Sequence, residues 1–188
     1  MTDNLIKLKT MVLKATKNIV LKSLKEEDIT EDYINWMNDS EITRYTEQRF
    51  EKHDFKSISS FVRKMSMSEK NLLLGIFFNN KHIGSIKIGS INLFHNTAEL
   101  SFLIGNKNFW RKGVATLAIK MALNICFKKL NLYKITAGVY AENIASIRAL
   151  ERNGFSCEGK RKKQFLHDKG RMDGLIYGKL FSDKYKKS

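Results

Sequence analysis

The sequence is poor in residues that form covalent or metal cross-links. Its 188 residues include only two cysteines and no proline. Cys126 lies in an apolar helical stretch and Cys157 at the start of a strand-like run, so the two support neither a disulfide framework nor a zinc site. We therefore expect reduced thiols, as in the cytoplasm, and no bound metal. The absence of proline has no functional explanation.

Long apolar runs are missing as well. Lysines interrupt every short apolar stretch in residues 1–20, which excludes the continuous apolar segment of a signal peptide. The longest apolar run, LLLGIFF at residues 72–78, is far too short to cross a bilayer. These absences predict a soluble, cytoplasmic protein with no membrane partner.

Acidic residues are scarce. Asp and Glu number 19 against 34 Lys and Arg, which gives a formal net charge of +15. This balance favours an anionic partner, such as nucleic acid, acidic lipid, a phosphorylated metabolite or an acidic protein, without choosing among them. The length and the 43% apolar content fit one domain over residues 1–188. We divide it into an N-terminal extension (1–17), a core (18–181) and a basic tail (182–188).

The spacing of apolar residues indicates a mixed α/β chain. The predicted order begins with a strand at residues 19–24 and two helices at 25–39 and 52–65. Three strands in an antiparallel meander follow, then a helix, a strand, a helix and two final strands around the turn HDKGR at residues 167–171. No repeat, linker or low-complexity segment divides the chain.

An acid is also missing where one helix begins. The stretch GNKNFWRKGVATLAIKMA at residues 105–122 starts a helix at Gly113, and its first turn carries no Asp or Glu. Free N–H groups and the helix dipole make this end positive, and Arg111 and Lys112 precede it. An external anion is the natural complement of such a site. The alternative is an ordinary helix start with a solvated basic pair.

A second motif, NIASIRALERNGFSCEG at residues 143–159, follows the first, WRKGVAT at residues 110–116. Together with the order of elements, these motifs resemble the GNAT superfamily of acyl-CoA-dependent N-acyltransferases. The similarity is greatest to the branch of ribosomal-protein N-terminal acetyltransferases and spermidine acetyltransferases, and it covers residues 18–181. It implies an α/β (α+β) domain with a mixed, mostly antiparallel twisted sheet of about six or seven strands and about four flanking helices.

The resemblance implies acetyl-CoA as the acyl donor, with its pyrophosphate at the start of the helix. The family motif is Gln or Arg, two residues, Gly, one residue, then Gly or Ala. Gly113 and Ala115 fit it, while Trp110 takes the leading position, as is common in that branch. Small residues let the backbone approach the phosphates, and consecutive N–H groups form an anion nest. The residues assigned to the cofactor are Leu103, Ile104, Arg111, Lys112, Gly113, Val114, Ala115, Thr116 and Asn143.

In the second motif, the type and position of Asn143 make it a helix N-cap, and the resemblance also places it against the pantetheine arm. Ser146 would lie close to the thioester sulfur and is the candidate acid for the departing thiolate, although a capping role also suits it. Many members of the family have a tyrosine four residues before the Gly-Phe pair, where this chain has Leu150. Tyr140 is interpreted as a strand-end residue.

Glu99 is the candidate base that would deprotonate the acceptor amine. In TAELSFLIG at residues 97–105, alternation separates Glu99, Ser101 and Leu103 from the apolar face. A carboxylate is unusual in an otherwise apolar central strand, and the resemblance puts this strand beside the acetyl group and the amine. The alternative is the solvated side of a half-buried strand. A backbone N–H at Leu103 or Ile104 would then face the thioester oxygen.

The connection NDSEITRYTEQRF at residues 38–50 is expected to cover the acceptor. It supplies Glu41, Arg44, Tyr45 and Arg49 as candidate substrate-binding residues. Guanidinium groups suit phosphate or carboxylate, and Tyr45 can stack on a ring. The alternative is a solvated loop between helices.

Several acceptors fit an acetyltransferase: a nucleotide-linked amino sugar, the N-terminus of a protein such as a ribosomal protein, and a polyamine. The charge of +15 disfavours the polyamine, and two arginines beside an aromatic residue favour a small anionic amine. A CoA-binding protein without catalysis and a basic nucleic-acid-binding module are the alternatives outside the enzymes. Alternation divides the basic run at residues 159–165 between two strand faces, so nucleic acid is not the expected partner. A homodimer is compatible with the sequence.

Overall fold

The computed structural model describes residues 9–10, 12–14, 18–167 and 170–181. The strands in these ranges are β1 (Val12–Lys14), β2 (Ile19–Ser23), β3 (Leu72–Phe78), β4 (Lys81–Asn92), β5 (Thr97–Ile104), β6 (Lys134–Tyr140), β7 (Ser156–His167) and β8 (Gly170–Leu180). They form one sheet in the order β1-β2-β3-β4-β5-β6-β8-β7. Within the same ranges, no helix is both long and apolar enough to span a membrane.

The sheet is mixed, because β5 and β6 are parallel while the other neighbouring strands are antiparallel. The predicted mixed, mostly antiparallel sheet is therefore confirmed. Strand β1 is an addition at the sheet edge, inside the segment predicted as an extension. Three residues are too few for a recognisable alternation, which is why the sequence analysis did not find it. The predicted tail, residues 182–188, lies outside the described residues.

The helices are α1 (Glu31–Asn38), α2 (Ser40–Thr43), α3 (Phe55–Met67), α4 (Val114–Asn124) and α5 (Ile144–Arg152). Short 3-10 turns lie at Glu26–Asp28, Glu47–Phe50 and Lys107–Phe109, and α4 continues into a π-helical turn at Ile125–Lys129.

Helices cover both faces of the sheet, so the core has two parts. Strand β3 shows the division: Leu73 and Phe77 pack with the buried faces of α1 and α3, while Leu72, Leu74 and Ile76 pack with α4 on the other side. A strand buried on both faces needs an apolar run instead of an alternating pattern, as LLLGIFF provides.

Capping residues set the helix boundaries. The predicted helix over residues 25–39 is wrong at its start, because Thr30 accepts a hydrogen bond from the Tyr33 N–H at 3.3 Å and α1 begins only at Glu31. In the same way, Asp54 accepts from the Ser57 N–H at 2.8 Å, and α3 begins at the next residue. Such side-chain acceptors satisfy N–H groups that the first helical turn leaves free.

The parallel strands β5 and β6 separate along their length. They pair only at their starts, where Thr97 lies opposite Lys134 and Glu99 opposite Thr136. Beyond these residues the two strands continue to Ile104 and Tyr140 without pairing to each other. The sheet is therefore split at its centre, beside the first turns of α4 and α5.

Candidate active site

A cleft of about 750 Å³ opens at this split in the sheet. Its walls are the end of β5, the first turns of α4 and α5, and the segment that contains α2 and the residues after it. Of the residues predicted to bind the cofactor, all except Lys112 line the cleft, as do Ser146, Glu41, Arg44 and Tyr45. Residues from four separate parts of the sequence thus meet in one cavity.

The start of α4 forms one wall of the cleft and is the predicted anion-binding turn. Gly113 has a φ of +76° and Arg111 a φ of +59°, both in the left-handed region. No side chain caps this helix, so its first N–H groups are free of a capping partner. A Cβ built on Gly113 would meet no atom within 4 Å, because that side of the glycine faces open space. The backbone can therefore approach a phosphate closely and point consecutive N–H groups at it.

Trp110 fixes this turn to the end of β5. Its indole Nε1–H donates a hydrogen bond to the Ile104 carbonyl oxygen at 2.7 Å. The Lys107 ammonium lies 5.9 Å from the centre of the indole ring. The sequence showed only that tryptophan takes the leading position of the motif, and the structure shows what this residue holds together.

The start of α5 forms the opposite wall. The Asn143 side-chain oxygen accepts a hydrogen bond from the Ser146 N–H at 3.2 Å, so the N-cap interpretation of Asn143 is correct. Both residues also line the cleft. Leu150 is 1% exposed and belongs to the main core. The position at which the family resemblance implied a tyrosine is therefore part of the hydrophobic packing in this chain.

Two arginines on α5 line the cleft although the sequence analysis did not select them. Arg148 and Arg152 are four residues apart, so they lie on the same face of the helix. Together with Arg111, they bring three arginines from the predicted cofactor-binding motifs to the lining of the cleft. The signal was available in the sequence: an i, i+4 pair of arginines in the helix that begins at the predicted cofactor-binding Asn143.

The far end of the cleft is formed by residues 41–42 and 44–46. Glu41 lines it, but its carboxylate is paired with the Lys107 ammonium at 2.6 Å. Lys107 also contacts Asp39 at 2.8 Å. Hydrogen bonds to Asp39 and then Glu41 raise the pKa of Lys107 above its ordinary value, so the ammonium stays charged. The Arg44 guanidinium has no such acidic partner within the part of the chain described, and lies 5.3 Å from the centre of the Tyr45 ring.

Aromatic rings extend this end of the cleft towards β6 and β7. Tyr45 is stacked on His167, with ring centres 5.7 Å apart, and Tyr140 is stacked on Phe165 at 3.9 Å. The Tyr140 hydroxyl donates a hydrogen bond to Glu47 at 2.5 Å. Burial, and after it this hydrogen bond, raises the pKa of Tyr140 to about 12, so the phenol remains protonated.

Three predicted site residues do not reach the cleft. Glu99 is an exposed residue of β5, and Lys112 is exposed beside the anion-binding turn. The Arg49 guanidinium donates hydrogen bonds to the carbonyl oxygens of Arg44 and Leu166, so it ties the loop to β7. Glu99 lies where β5 and β6 are still paired, before the split that forms the cavity. The roles predicted for these residues stay predictions.

Comparison with known proteins identifies the family. Residues 18–156 match the family model of the acetyltransferase (GNAT) domain. The chain therefore belongs to the GNAT acetyltransferases. The spermidine N(1)-acetyltransferase of Escherichia coli (strain K12) is 28% identical over 175 residues, which cover 92% of this chain and 91% of the relative.

Solved structures of acetyltransferases have the same fold. The spermidine N-acetyltransferase from Vibrio cholerae in complex with CoA and spermine is 26% identical, with a TM-score of 0.78 over 88% of this chain and 96% of that one. RimL, a ribosomal L7/L12 alpha-N-protein acetyltransferase in complex with coenzyme A, has a TM-score of 0.82 at 12% identity over 91% and 98% of the two chains. The predicted family, its branch and the fold class are confirmed.

This protein is an acetyl-CoA-dependent N-acetyltransferase of the GNAT type. The cleft fits coenzyme A in chemistry: an open glycine turn with free N–H groups suits a pyrophosphate, and three arginines suit its phosphates. When bound, the cofactor supplies an acetyl thioester, whose carbonyl carbon is the electrophile.

Proposed function

We propose that this enzyme acetylates the primary amine of a small anionic acceptor, such as a nucleotide-linked amino sugar. The observation that supports it best is the charge of the acceptor end. Arg44 lines this end and has no acidic partner among the described residues, whereas the Glu41 carboxylate is neutralised by Lys107. Arginine binds phosphate or carboxylate with two parallel hydrogen bonds, and Tyr45 beside it offers a ring for stacking.

The residues of the cleft divide the remaining work. The N–H groups after Arg111 hold the pyrophosphate, and Asn143 contacts the pantetheine arm. A backbone N–H at Leu103 or Ile104 stabilises the negative charge that develops on the thioester oxygen. Ser146 donates a proton to the departing thiolate, directly or through water. Glu99 is the base predicted from the sequence, and its exposure on β5 makes it the part of this scheme with the least structural support.

Acetylation of a protein N-terminus is the second candidate. Exposed basic residues on β7 favour this candidate. The same strand carries Phe165 and His167, whose rings contact Tyr140 and Tyr45 near the acceptor end. A basic surface there suits docking of an acidic protein or of a protein bound to RNA. Polyamines are the acceptors named for the spermidine acetyltransferases, but a cation would require acidic groups that the described cleft lacks apart from the paired Glu41.

A panel of amines tests the proposal. The enzyme is incubated with acetyl-CoA and amino-sugar nucleotides, peptides with free N-termini, or polyamines, while release of the CoA thiol is followed. We expect an amino-sugar nucleotide to be turned over best. Arg44→Ala should raise the acceptor KM about 10- to 150-fold and leave the acetyl-CoA KM unchanged, because a charged hydrogen bond contributes about 1.5–3 kcal/mol.

Arg49→Ala is the companion variant. If Arg49 binds the acceptor as the sequence predicts, this variant should raise the acceptor KM as well, whereas loss of its hydrogen bonds to the loop and to β7 should lower the melting temperature. Preferential acetylation of a peptide, with the Arg44 variant unaffected, would replace the sugar by a protein N-terminus. Preference for spermidine would overturn the anionic acceptor altogether.

A further inference from the structure

Glu47 and Tyr140 form a hydrogen-bonded pair that the family resemblance does not assign. The Tyr140 hydroxyl donates to Glu47 Oε1 at 2.5 Å. Tyr140 itself is 5% exposed, whereas Glu47 is exposed, so one end of the pair is anchored in the protein and the other is open to solvent. The second carboxylate oxygen, Oε2, has no described hydrogen-bond partner.

The surroundings of the pair fix its geometry. Phe165 stacks on Tyr140 at 3.9 Å, and it reaches this position because the ladder between β7 and β8 shifts register between Arg161 and Phe165. Gly174 makes room for it, since a Cβ there would lie 2.7 Å from the Phe165 ring. On the other side, Arg49 holds the loop to β7 through the Leu166 carbonyl oxygen. A side chain held in this way is pre-organised for its task.

The pair lies next to the residues that line one end of the cleft, although neither Glu47 nor Tyr140 lines the cleft itself. Glu47 directly follows residues 44–46, all of which line the cavity. Tyr140 ends β6, three residues before Asn143, which lines the opposite wall. The Tyr45 ring, a cleft residue, is 5.9 Å from the Tyr140 ring. The carboxylate thus sits beside the acceptor end, on the side of the split formed by β6.

We propose that Glu47 is the general base of acetyl transfer and that Tyr140 is the residue that positions it. The charged and titratable groups facing the pair are the Arg49 guanidinium, 5.3 Å from the Tyr140 ring, and Arg44 and His167, which both lie against Tyr45. No lysine or second carboxylate contacts Glu47 in the described residues. This inference rests on transfer to an amine and is independent of whether the acceptor is anionic.

The step is balanced without a further reactant. Glu47 accepts a proton from the ammonium form of the acceptor, directly or through one water. The neutral nitrogen forms a bond to the acetyl carbonyl carbon, and the carbon–sulfur bond breaks. The sulfur leaves with the electron pair, and the nitrogen loses its second proton, which reaches the thiolate through Ser146 or water, so the products are the amide and the CoA thiol. The proton on Glu47 then passes to solvent, which reaches this exposed side chain.

Two carboxylate variants decide which residue is the base. Glu47→Gln keeps the shape of the side chain but removes proton acceptance, so kcat should fall about 10²-fold or more and recover in part at high pH. The Kd for CoA should not change. Glu99→Gln, at the base predicted from the sequence, should lower kcat far less than Glu47→Gln does. Glu51→Gln, which changes an exposed carboxylate that does not line the cleft, should leave kcat unchanged. The assay uses whichever amine of the panel reacts fastest, so failure of the anionic acceptor leaves this comparison intact.

The positioning role of Tyr140 is tested by coupling. Tyr140→Phe removes only the hydroxyl and should lower kcat by about 10- to 150-fold, which is the effect of one hydrogen bond to a charged group. In the Glu47→Gln background, Tyr140→Phe should lower kcat almost no further, because both substitutions disrupt the same hydrogen-bonded pair. If Tyr140 had a purely structural role, the losses of kcat in the two single variants would instead add in the double variant. Tyr140→Phe would then lower the melting temperature in both backgrounds.

Three results would overturn the proposal. The first is a Glu47→Gln enzyme with kcat within a few-fold of the wild type. The second is a raised acceptor KM at unchanged kcat, which would make Glu47 a binding residue. The third is a full loss in Glu99→Gln with none in Glu47→Gln, which would return the role to the residue predicted from the sequence. Unchanged melting temperature and CoA affinity show that each variant is folded.

Discussion

Replacing Gly113 with valine tests the anion-binding turn most directly. The backbone at this residue has a φ of +76°, a conformation in which a side chain with a branched Cβ is strained. The left-handed region costs an L-residue about 1–2 kcal/mol, so the free energy of unfolding should fall by that amount. For a chain of this size, 1 kcal/mol corresponds to a decrease of about 2–4 °C in melting temperature.

The effect on cofactor binding should be larger than the effect on stability. The new Cβ and its methyl groups enter the open space beside the turn, where the wild type leaves the N–H groups accessible. Losing one charged hydrogen bond to the pyrophosphate costs about 1.5–3 kcal/mol, which is a Kd for CoA raised about 10- to 150-fold. Isothermal titration with CoA measures this quantity without depending on the acceptor.

Gly154→Val is the matched control. Its φ of +77° gives the same backbone strain, and the nearest atom to a new Cβ is the Lys179 Nζ at 2.7 Å, the end of a flexible side chain. Gly154 does not line the cleft. We expect a similar loss of stability with the CoA affinity of the wild type. Equal CoA affinity in the two variants would refute the assignment of the pyrophosphate to this turn.

Two further predictions concern a buried histidine and the motif tryptophan. Burial lowers the pKa of His82 from 6.5 to about 4, so the unfolded state binds more protons between these values and stability should fall by about 3 kcal/mol as pH decreases from 6.5 to 4. His82→Phe should remove that part of the pH dependence in urea unfolding, and an unchanged slope would contradict it. Trp110→Phe leaves the Ile104 carbonyl oxygen without its indole donor, and should lower the free energy of unfolding by about 1–3 kcal/mol and weaken CoA binding. Thermal unfolding and titration with CoA measure both effects, and wild-type values in each would exclude the anchoring role of the indole.

The fold was predictable from the sequence because its signals are local. The helix at Gly113 was recognisable from apolar spacing and a glycine start, and the double-sided burial of β3 from a continuous apolar run. The errors lie at boundaries. Thr30 begins α1 later than the apolar pattern suggested, because the capping hydrogen bond determines the first helical residue.

The two motifs assigned to the cofactor were recognisable because each is short and continuous, and residues of both line one cleft, whereas their binding role stays a prediction. The acceptor side was not recognisable in this way, because it depends on contacts between distant segments. Glu47 meets Tyr140 across 93 positions of the chain. The Arg49 guanidinium donates a hydrogen bond to the Leu166 carbonyl oxygen, 117 positions away in the sequence. The loop sequence alone had assigned this guanidinium to the acceptor. Glu99 was selected by the alternation of β5, but alternation cannot show where two parallel strands stop pairing.

The chemistry of the reaction explains why a carboxylate at the acceptor end matters more than a tyrosine on α5. A thiol has a pKa of about 8.5, so at pH 7 its anion lies only about 2 kcal/mol above the protonated form. An alkyl amine has a pKa of about 10.4, and forming its neutral, nucleophilic state at pH 7 costs about 4.6 kcal/mol. The larger cost falls on the step that removes the amine proton. A chain with Leu150 buried in its core therefore lacks a donor for the step with the smaller cost, and the proposed role of the carboxylate held by Tyr140 is to accept the proton in the step with the larger one.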